Sequence, residues 1–137
     1  MLTWFRQWFQ SSEGTFGDRG EHAAEAYLRR QGYQILDRQH RNAGGEVDLV
    51  ALDGETVVFV EVKTRRSSQH GLPADAVTRA KERRLTRAAA TYLKRRGWLA
   101  RPCRFDVVSV LWSAECGEPQ ITHYRHAFEA SIPGQMY

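Results

Sequence analysis

The sequence predicts an α/β fold in which helices flank a mixed β-sheet. A turn signal, Asp53-Gly54, separates two segments that read as strands, at residues 46–52 and 56–64, which is the pattern of an antiparallel hairpin. A segment of helical periodicity at residues 74–96 then leads to another strand-like segment at 105–111. A strand–helix–strand connection favours a parallel pair, so the sheet should contain both kinds of pairing.

The first element of the domain is predicted to be a helix over residues 18–31, where apolar residues recur at helical spacing. Asp18 suits the N-cap position, and Glu21 stands three residues later, as in a capping box. Gly32 is a typical residue for ending a helix. These signals fix both ends of the predicted helix and offer Glu21 a purely structural role.

The remaining elements complete an α-β-β-β-α-β order. A short strand is expected at residues 33–37, and Gly44-Gly45 interrupts the chain before the hairpin. Gly97 is expected to end the long helix, and residues 121–124 could add a strand at the sheet edge.

The 137 residues suit one domain with short extensions. We predict an aromatic arm at residues 1–16, the domain at 17–128 and a tail at 129–137. Four aromatic residues of the arm would form one stripe on a short helix: Trp4, Phe5, Trp8 and Phe9. This stripe is a candidate surface for docking on the domain, on a second copy or on a partner.

Hydropathy predicts a cytoplasmic protein without a membrane span. The longest apolar run near a strand, residues 57–60, is far shorter than the ~20 residues that a spanning helix needs. Residues 1–10 lack the apolar core and cleavage site of a signal peptide. The two cysteines, Cys103 and Cys116, lack metal-ligand spacing and are expected to be reduced thiols.

Positive charge is concentrated in the second half of the chain and predicts a polyanionic partner. The net charge is +4, but half of the 20 lysines and arginines lie between residues 79 and 104, where Glu82 is the only acid. Such a cluster suits phosphate contacts, although a solvated helix face is the simpler alternative. The candidate phosphate contacts are Arg65, Arg66, Arg83, Arg84, Arg87, Lys94 and Arg95.

Acidic residues on the two hairpin strands predict a metal site. If the loop consists of residues 53 and 54, residue 46 pairs with residue 61, and Asp48 is diagonal to Glu61 on one face, ~7–8 Å away. Lys63 shares the face of Glu61, because side chains alternate along a strand. A Glu61–Lys63 surface ion pair is the simpler interpretation, but it leaves Asp48 unexplained. Two carboxylates and an amine suit Mg²⁺-dependent hydrolysis of a phosphodiester.

These residues also carry a resemblance. Asp48 followed by Glu61-Val62-Lys63 resembles the PD-(D/E)xK nuclease signature, with Val47 in place of the proline. The wider pattern from Gly17 to Phe128 is similar to the YraN family, bacterial proteins that resemble archaeal Holliday junction resolvases. It comprises Gly17-x-x-Gly20-Glu21-x-x-Ala24, Gly32-Tyr33, Gly45-Glu46-Val47-Asp48-Leu49-Val50, Val58-Phe59-Val60-Glu61-Val62-Lys63-Thr64-Arg65 and Ala127-Phe128.

The resemblance implies a restriction-endonuclease-like fold and an endonuclease that depends on Mg²⁺ or Mn²⁺ and acts on branched DNA. By position it implies that Asp48 and Glu61 bind the metal, that Lys63 is the catalytic lysine and that Glu21 is the acid on the first helix. Glu25, one turn later, is an alternative to Glu21, and Glu46 is an acid outside the minimal motif. Resolution of a two-fold junction would require a homodimer.

Two other functions remain open at this point. A nuclease-like domain could bind nucleic acid or a repair partner without cutting, and its binding would then depend on the arginines but not on Asp48. The chain could also be a structural protein that works through its aromatic arm. No segment of the sequence has the signature of a base-reading element, so selection by strand structure is expected over selection by sequence.

Overall fold

A computed structural model of the chain describes residues 15–67, 77–113 and 117–132. The aromatic residues of the predicted N-terminal arm, from Trp4 to Phe9, lie outside these ranges. The elements are α1 (Phe16–Arg30), β1 (Gln34–Asn42), β2 (Gly45–Asp53), β3 (Thr56–Arg66), α2 (Arg79–Arg96), β4 (Cys103–Trp112) and β5 (Gln120–Phe128). Within the described ranges, neither helix is long and apolar enough to cross a membrane.

The five strands form one sheet in the order β1-β2-β3-β4-β5. β1, β2 and β3 pair antiparallel through two successive hairpins, and β4 pairs antiparallel with β5. β3 and β4 are parallel, because α2 connects them. The α/β prediction is therefore confirmed, and a mixed sheet between two helices is consistent with a restriction-endonuclease-like fold. β5 is the edge strand that the sequence predicted, although it is longer.

Each face of the sheet packs against one helix. Ala24 and Leu28 of α1 are fully buried against β2, β3 and β4. Leu85, Ala88, Ala89, Tyr92 and Leu93 of α2 cover the opposite face. A hydrophobic core lies on each face of the sheet, and β3 contributes residues to both. Val58, Val60 and Val62 lie on the α1 side, and Val57 and Phe59 lie on the α2 side. A central strand buried on both faces explains why its sequence is almost continuously apolar.

The start of α1 differs from the prediction. Thr15, not Asp18, is the N-cap, and its hydroxyl accepts a hydrogen bond from the Asp18 backbone N–H at 3.0 Å. Asp18 occupies the first turn, where an acid is favoured by the helix dipole. Glu21 therefore lies beyond the capping positions, and its carboxylate is not needed to start the helix. The predicted capping box was wrong by one turn.

The β2–β3 turn also differs from the predicted one. Asp53 pairs with Thr56, so the two loop residues are Gly54 and Glu55, not Asp53 and Gly54. Gly54 has a φ of +61°, and a positive φ at the first loop position is what glycine allows in a type II′ hairpin turn. The pairing is shifted by two residues from the prediction, and a shift of two leaves every side chain on its predicted face.

Two other boundaries were predicted wrongly. β1 extends to Asn42 because its polar second half, which lacks a clear strand pattern, pairs with β2 up to Gly45. α2 begins at Arg79, not residue 74, since Thr78 is extended and its hydroxyl accepts the Lys81 N–H at 3.2 Å. Gly97 ends α2 in the left-handed conformation, as predicted.

Candidate functional site

β2 and β3 separate at the position of the predicted acids. Their ladder runs from the Asp53–Thr56 pair to the Leu49–Val60 pair. Beyond it, β2 continues to pair with β1, whereas β3 continues to pair with β4 from Glu61 onward. The next step of the register would place Asp48 opposite Glu61. We call this opening in the sheet the fork.

Asp48 is held at the fork by the backbone of the neighbouring strand. The Val62 N–H donates to Asp48 Oδ2 at 2.9 Å, which orients the carboxylate between β2 and β3. Burial, followed by the negative charge of Glu61, raises the pKa of Asp48 to about 7, and the Val62 hydrogen bond only partly opposes these two causes. Asp48 is therefore a largely buried acid that shares the fork with a second carboxyl group.

Glu61 lies on the α2 side of the sheet between two lysines. Its side chain is 8% exposed, and the Lys63 ammonium Nζ is 3.4 Å from Oε1. The Lys81 ammonium, reaching in from the first turn of α2, contacts the same oxygen. Burial lowers the pKa of Lys63, and the nearby Lys81 lowers it further, against the effect of Glu61. Lys63 is thus an amine that gives up its proton more readily than an exposed lysine.

Glu21 approaches the same fork from α1. Burial, followed by the negative charge of Asp48, raises its pKa to about 7, so the two carboxyl groups interact electrostatically. Gln39, on β1, hydrogen-bonds the Glu21 side chain and opposes this shift. α1 comes this near to β3 because residue 20 is glycine: a Cβ there would lie 1.8 Å from Thr64 Oγ1.

The other two acids considered from the sequence are placed differently. Glu25 forms ion pairs with Arg38 and Arg29, which outweigh burial and lower its pKa, so its charge is already neutralised. Between the two helix acids, the geometry favours Glu21. Glu46 is exposed, pairs with Arg41 at 3.1 Å and contributes to the negative field on Asp48.

The fork suits a hard divalent cation. Within the described ranges, no three Asp, Glu, His or Cys side chains form a ready-made metal-binding set. Mg²⁺ does not require one, because it keeps several waters and binds through one or two carboxylates plus a substrate phosphate. Asp48 and Glu61 would supply these oxygens, and a bound cation would offset the burial and the charge of Glu61 that raise the pKa of Asp48.

The predicted phosphate contacts are spread along one helix and beside the fork. Arg84 lines a cavity of about 500 Å³ together with Arg41, Glu46 and Lys81. Arg83 and Arg87 line a neighbouring groove of about 860 Å³, which also contains Glu82 and Glu129. The exposed Lys94 and Arg95 lie near the other end of α2.

Lys94 and Arg95 are therefore far from the fork. Thirteen residues separate Lys81 from Lys94, which is ~20 Å along a helix. Arg65 is half-buried at the end of β3, and the Arg66 guanidinium lies 4.0 Å from the centre of the Phe16 ring. Arg84 shares its cavity with Lys81, whose ammonium contacts Glu61 at the fork.

Lys81 is the member of the cluster that sequence reasoning missed. It appeared only as one of many basic residues on α2. A lysine in the first turn is disfavoured by the helix dipole unless an acid compensates it, but this signal was hidden because the helix was predicted to begin at residue 74. Its partner, Glu61, is 20 residues away on a different element, so the pairing could not be read from local spacing.

A second polar cluster lies between β4 and β5. Asp106 is 1% exposed and accepts hydrogen bonds from Arg104 and from the His126 N–H at 3.0 Å, and its carboxylate lies 2.7 Å from His123 Nε2. These contacts outweigh burial and lower the pKa of Asp106. The His126 contact lies where the β4–β5 register shifts, so Asp106 stabilises this irregularity.

Comparison with known proteins decides the family. The model of the uncharacterised protein family UPF0102 matches residues 20–110, more than half of the chain. The chain belongs to this family. UPF0102 is the YraN family, so the resemblance seen in the sequence is confirmed. The matched region begins at Gly20 and contains Glu21, Asp48, Glu61, Lys63 and Lys81.

UPF0102 proteins from several bacteria are similar over most of their length. One from Geobacter sulfurreducens is 50% identical over 114 residues, covering 82% of this chain and 88% of that protein. One from Geobacter metallireducens is 48% identical over 115 residues, covering 84% and 93%. One from Symbiobacterium thermophilum is 54% identical over 94 residues, covering 69% and 80%. The aligned regions therefore cover 80–93% of these relatives.

Proposed function

We propose that this UPF0102 protein is a cytoplasmic endonuclease that uses Mg²⁺ or Mn²⁺ to hydrolyse phosphodiester bonds in DNA. The observation that carries the proposal is the fork, where Asp48 and Glu61 from separating strands meet two lysines. Two partly buried acids are costly to keep without a cation, and a structural role for Glu61 does not explain Asp48.

The side chains of the fork have distinct roles in this proposal. Asp48 and Glu61 would hold the metal, which when bound acidifies a water and neutralises charge on the phosphate. The Val62 N–H keeps Asp48 aimed into the fork. Glu21, with its pKa near 7, is placed to exchange a proton with water at neutral pH. Lys63 orients the attacking water or binds a phosphate oxygen.

Selection by DNA structure fits the basic residues better than selection by sequence. Arginines on α2 would contact the phosphate backbone, and among them Arg84 lines the cavity that Lys81 also lines. Contacts of this kind position DNA without reading bases. Branched DNA, such as a four-way junction, is the substrate that the resemblance to resolvases implies, and a homodimer would match its two-fold symmetry.

A non-catalytic binding module is the second candidate. It is favoured by one observation: Lys81 and Lys63 already neutralise Glu61 without any metal. In that case the basic surface of α2 would bind nucleic acid, and substitution of Asp48 would leave the biological role intact.

Cleavage assays separate the two candidates. Purified protein with Mn²⁺ is incubated with labelled four-way junction, flap, single-stranded and duplex DNA, and compared with Asp48→Asn, Glu61→Gln and Lys63→Met. The nuclease proposal predicts cleavage that each substitution lowers by roughly 100-fold or more, with DNA affinity changed by less than about threefold. Glu55→Gln, in the exposed β2–β3 loop, is the matched control and should cut normally.

The outcome that contradicts the nuclease proposal is equally specific. If every substrate stays intact at high enzyme excess while the protein binds DNA, the binding module is the better description. The same conclusion follows if a cleavage activity persists unchanged in Asp48→Asn, because that activity would belong to a contaminant.

A further inference from the structure

Lys81 stands in an unfavourable position for its own helix. It lies in the first turn of α2, where the helix dipole favours anions, as at its neighbour Glu82. Its backbone N–H donates to Thr78 Oγ1, while its ammonium leaves the helix to contact Glu61 on β3. The side chain is therefore held by Glu61 at the fork and not by a partner on its own helix.

Two ammonium groups converge on one oxygen of Glu61. Lys63 Nζ lies 3.4 Å from Oε1, and Lys81 contacts the same atom. Like charges this close repel each other, and a single divalent cation would deliver the same charge from one atom. Lys81 therefore supplies at Glu61 the charge that a metal would otherwise bring.

The two lysine side chains differ in how easily they could move away from Glu61. The Lys63 side chain is 14% exposed and rises from a central strand, whereas that of Lys81 is 30% exposed. Lys81 also lines the cavity of about 500 Å³ that Arg84, Arg41 and Glu46 share. If a cation displaces one ammonium from Glu61, that of Lys81 should move, because the cavity beside it has room for the side chain.

We propose that Lys81 is a tethered counter-ion that competes with a divalent cation for Glu61 and turns into the adjoining cavity when the cation binds. Within that cavity its ammonium, together with Arg84, would form a binding site for a phosphate of the DNA backbone. This inference rests on the proposed metal-dependent function. In the metal-free protein, Lys81 neutralises Glu61. When the metal binds, the Lys81 ammonium becomes available to contact a phosphate of DNA.

Metal affinity tests the competition directly. Mn²⁺ binding is measured by isothermal titration calorimetry, without DNA, for the wild type, Lys81→Met and Arg79→Met. Loss of a competing, partly exposed ion pair should tighten Mn²⁺ binding roughly three- to tenfold in Lys81→Met. Arg79→Met removes the same charge from the same helix end at an exposed position, and should leave the affinity nearly unchanged.

Chemical labelling measures the accessibility of Lys81 in the wild-type protein, so it remains informative if Lys81→Met folds poorly. Acylation of Lys81 by an amine-reactive ester, followed by mass spectrometry, should accelerate several-fold when Mn²⁺ is added to the wild type. In Asp48→Asn, which lacks one metal ligand, the acceleration should be lost.

The results distinguish failure of this inference from failure of the proposed function. If the wild type binds Mn²⁺ but Lys81→Met binds it no more tightly, or Lys81 labelling is unchanged by Mn²⁺, the counter-ion role is refuted and the metal site stands. If neither protein binds Mn²⁺, both the inference and the metal-dependent function are refuted. If Lys81→Met binds Mn²⁺ and the wild type does not, Lys81 competes with the cation strongly enough to prevent its binding.

Discussion

The Val62 backbone N–H donates to Asp48 Oδ2 at 2.9 Å. If β2 and β3 stayed paired, this N–H would donate to a backbone carbonyl of β2, so the Asp48 side chain replaces a backbone acceptor. This substitution of side chain for backbone lets β2 and β3 separate without leaving the Val62 N–H unsatisfied. It also fixes the carboxylate in the opening that it helps to create. Asp48 is therefore both a structural residue of the fork and the central acid of the proposed site.

Two substitutions of Asp48 should differ clearly in their effect on stability. At pH 8, Asp48→Asn keeps an acceptor for Val62 and removes the repulsion with Glu61, so the free energy of unfolding should rise by about 1 kcal/mol. Asp48→Ala leaves the Val62 N–H without its partner and should lose about 1–3 kcal/mol relative to Asn. Urea denaturation without metal measures both. Equal stability of the two variants would show that the hydrogen bond is unimportant.

Stability without metal should fall as the pH rises from 5 to 8. The pKa values of Asp48 and Glu21 are about 7 in the folded protein, above those of the unfolded chain, which are ~4. Between these values the folded state binds more protons than the unfolded state, so each unit of pH lowers the stability. The melting temperature should drop by roughly 3–6 °C.

Two controls define the origin of that pH dependence. Asp48→Asn should reduce the drop, since one of the two carboxyls no longer titrates, and millimolar Mg²⁺ should reverse it at pH 8. A melting temperature that rises between pH 5 and pH 8 would contradict the raised pKa values. Stronger acid acts differently, because the lowered pKa of Asp106 contributes stability that is lost as the pH falls through that pKa.

Two glycines of α1 form a matched pair for testing how Glu21 is placed. Gly20→Ala should destabilise the protein by about 1–3 kcal/mol, since the new Cβ would overlap the Thr64 side chain and push α1 away from β3. Gly17→Ala meets no atom within 4 Å and should be neutral or stabilising by about 0.5–1 kcal/mol. Differential scanning fluorimetry compares them.

Cleavage rates of the same two variants should show whether the position of Glu21 affects the reaction. A Gly20→Ala protein that remains folded should cut DNA more slowly than Gly17→Ala, because Glu21 moves with its helix away from Asp48. Equal cleavage rates in the two variants would argue that Glu21 takes no part in the reaction.

Removal of Arg84, which lines the same cavity as Lys81, should weaken DNA binding in a salt-dependent way. Arg84→Gln removes one phosphate contact, so the slope of log affinity against log salt concentration should decrease by about 1. Arg30→Gln, exposed in the last turn of α1, removes the same charge outside the proposed surface and should leave the slope unchanged. Fluorescence anisotropy at several salt concentrations gives both slopes, and a similar loss in both variants would indicate a purely non-local effect of net charge.

Local patterns predicted the elements, the α/β class and the shared face of Asp48 and Glu61. Strand alternation has a period of two, so even a hairpin turn displaced by one residue kept these acids on the same side of the sheet. Helix stops at Gly32 and Gly97 were also readable, since the signal is a single residue. Boundaries that depend on competing caps, as at Thr15 and Thr78, were misplaced.

Only the tertiary structure decided what surrounds these acids. The separation of β2 from β3, the Val62 hydrogen bond and the contact of Lys81 with Glu61 each join residues that are distant in sequence. Likewise, ion pairs with Arg38 and Arg29 removed Glu25 from the site and left Glu21 beside Asp48. Sequence periodicity determines the face on which a side chain lies, whereas the packing of helices against the sheet determines which charges meet there.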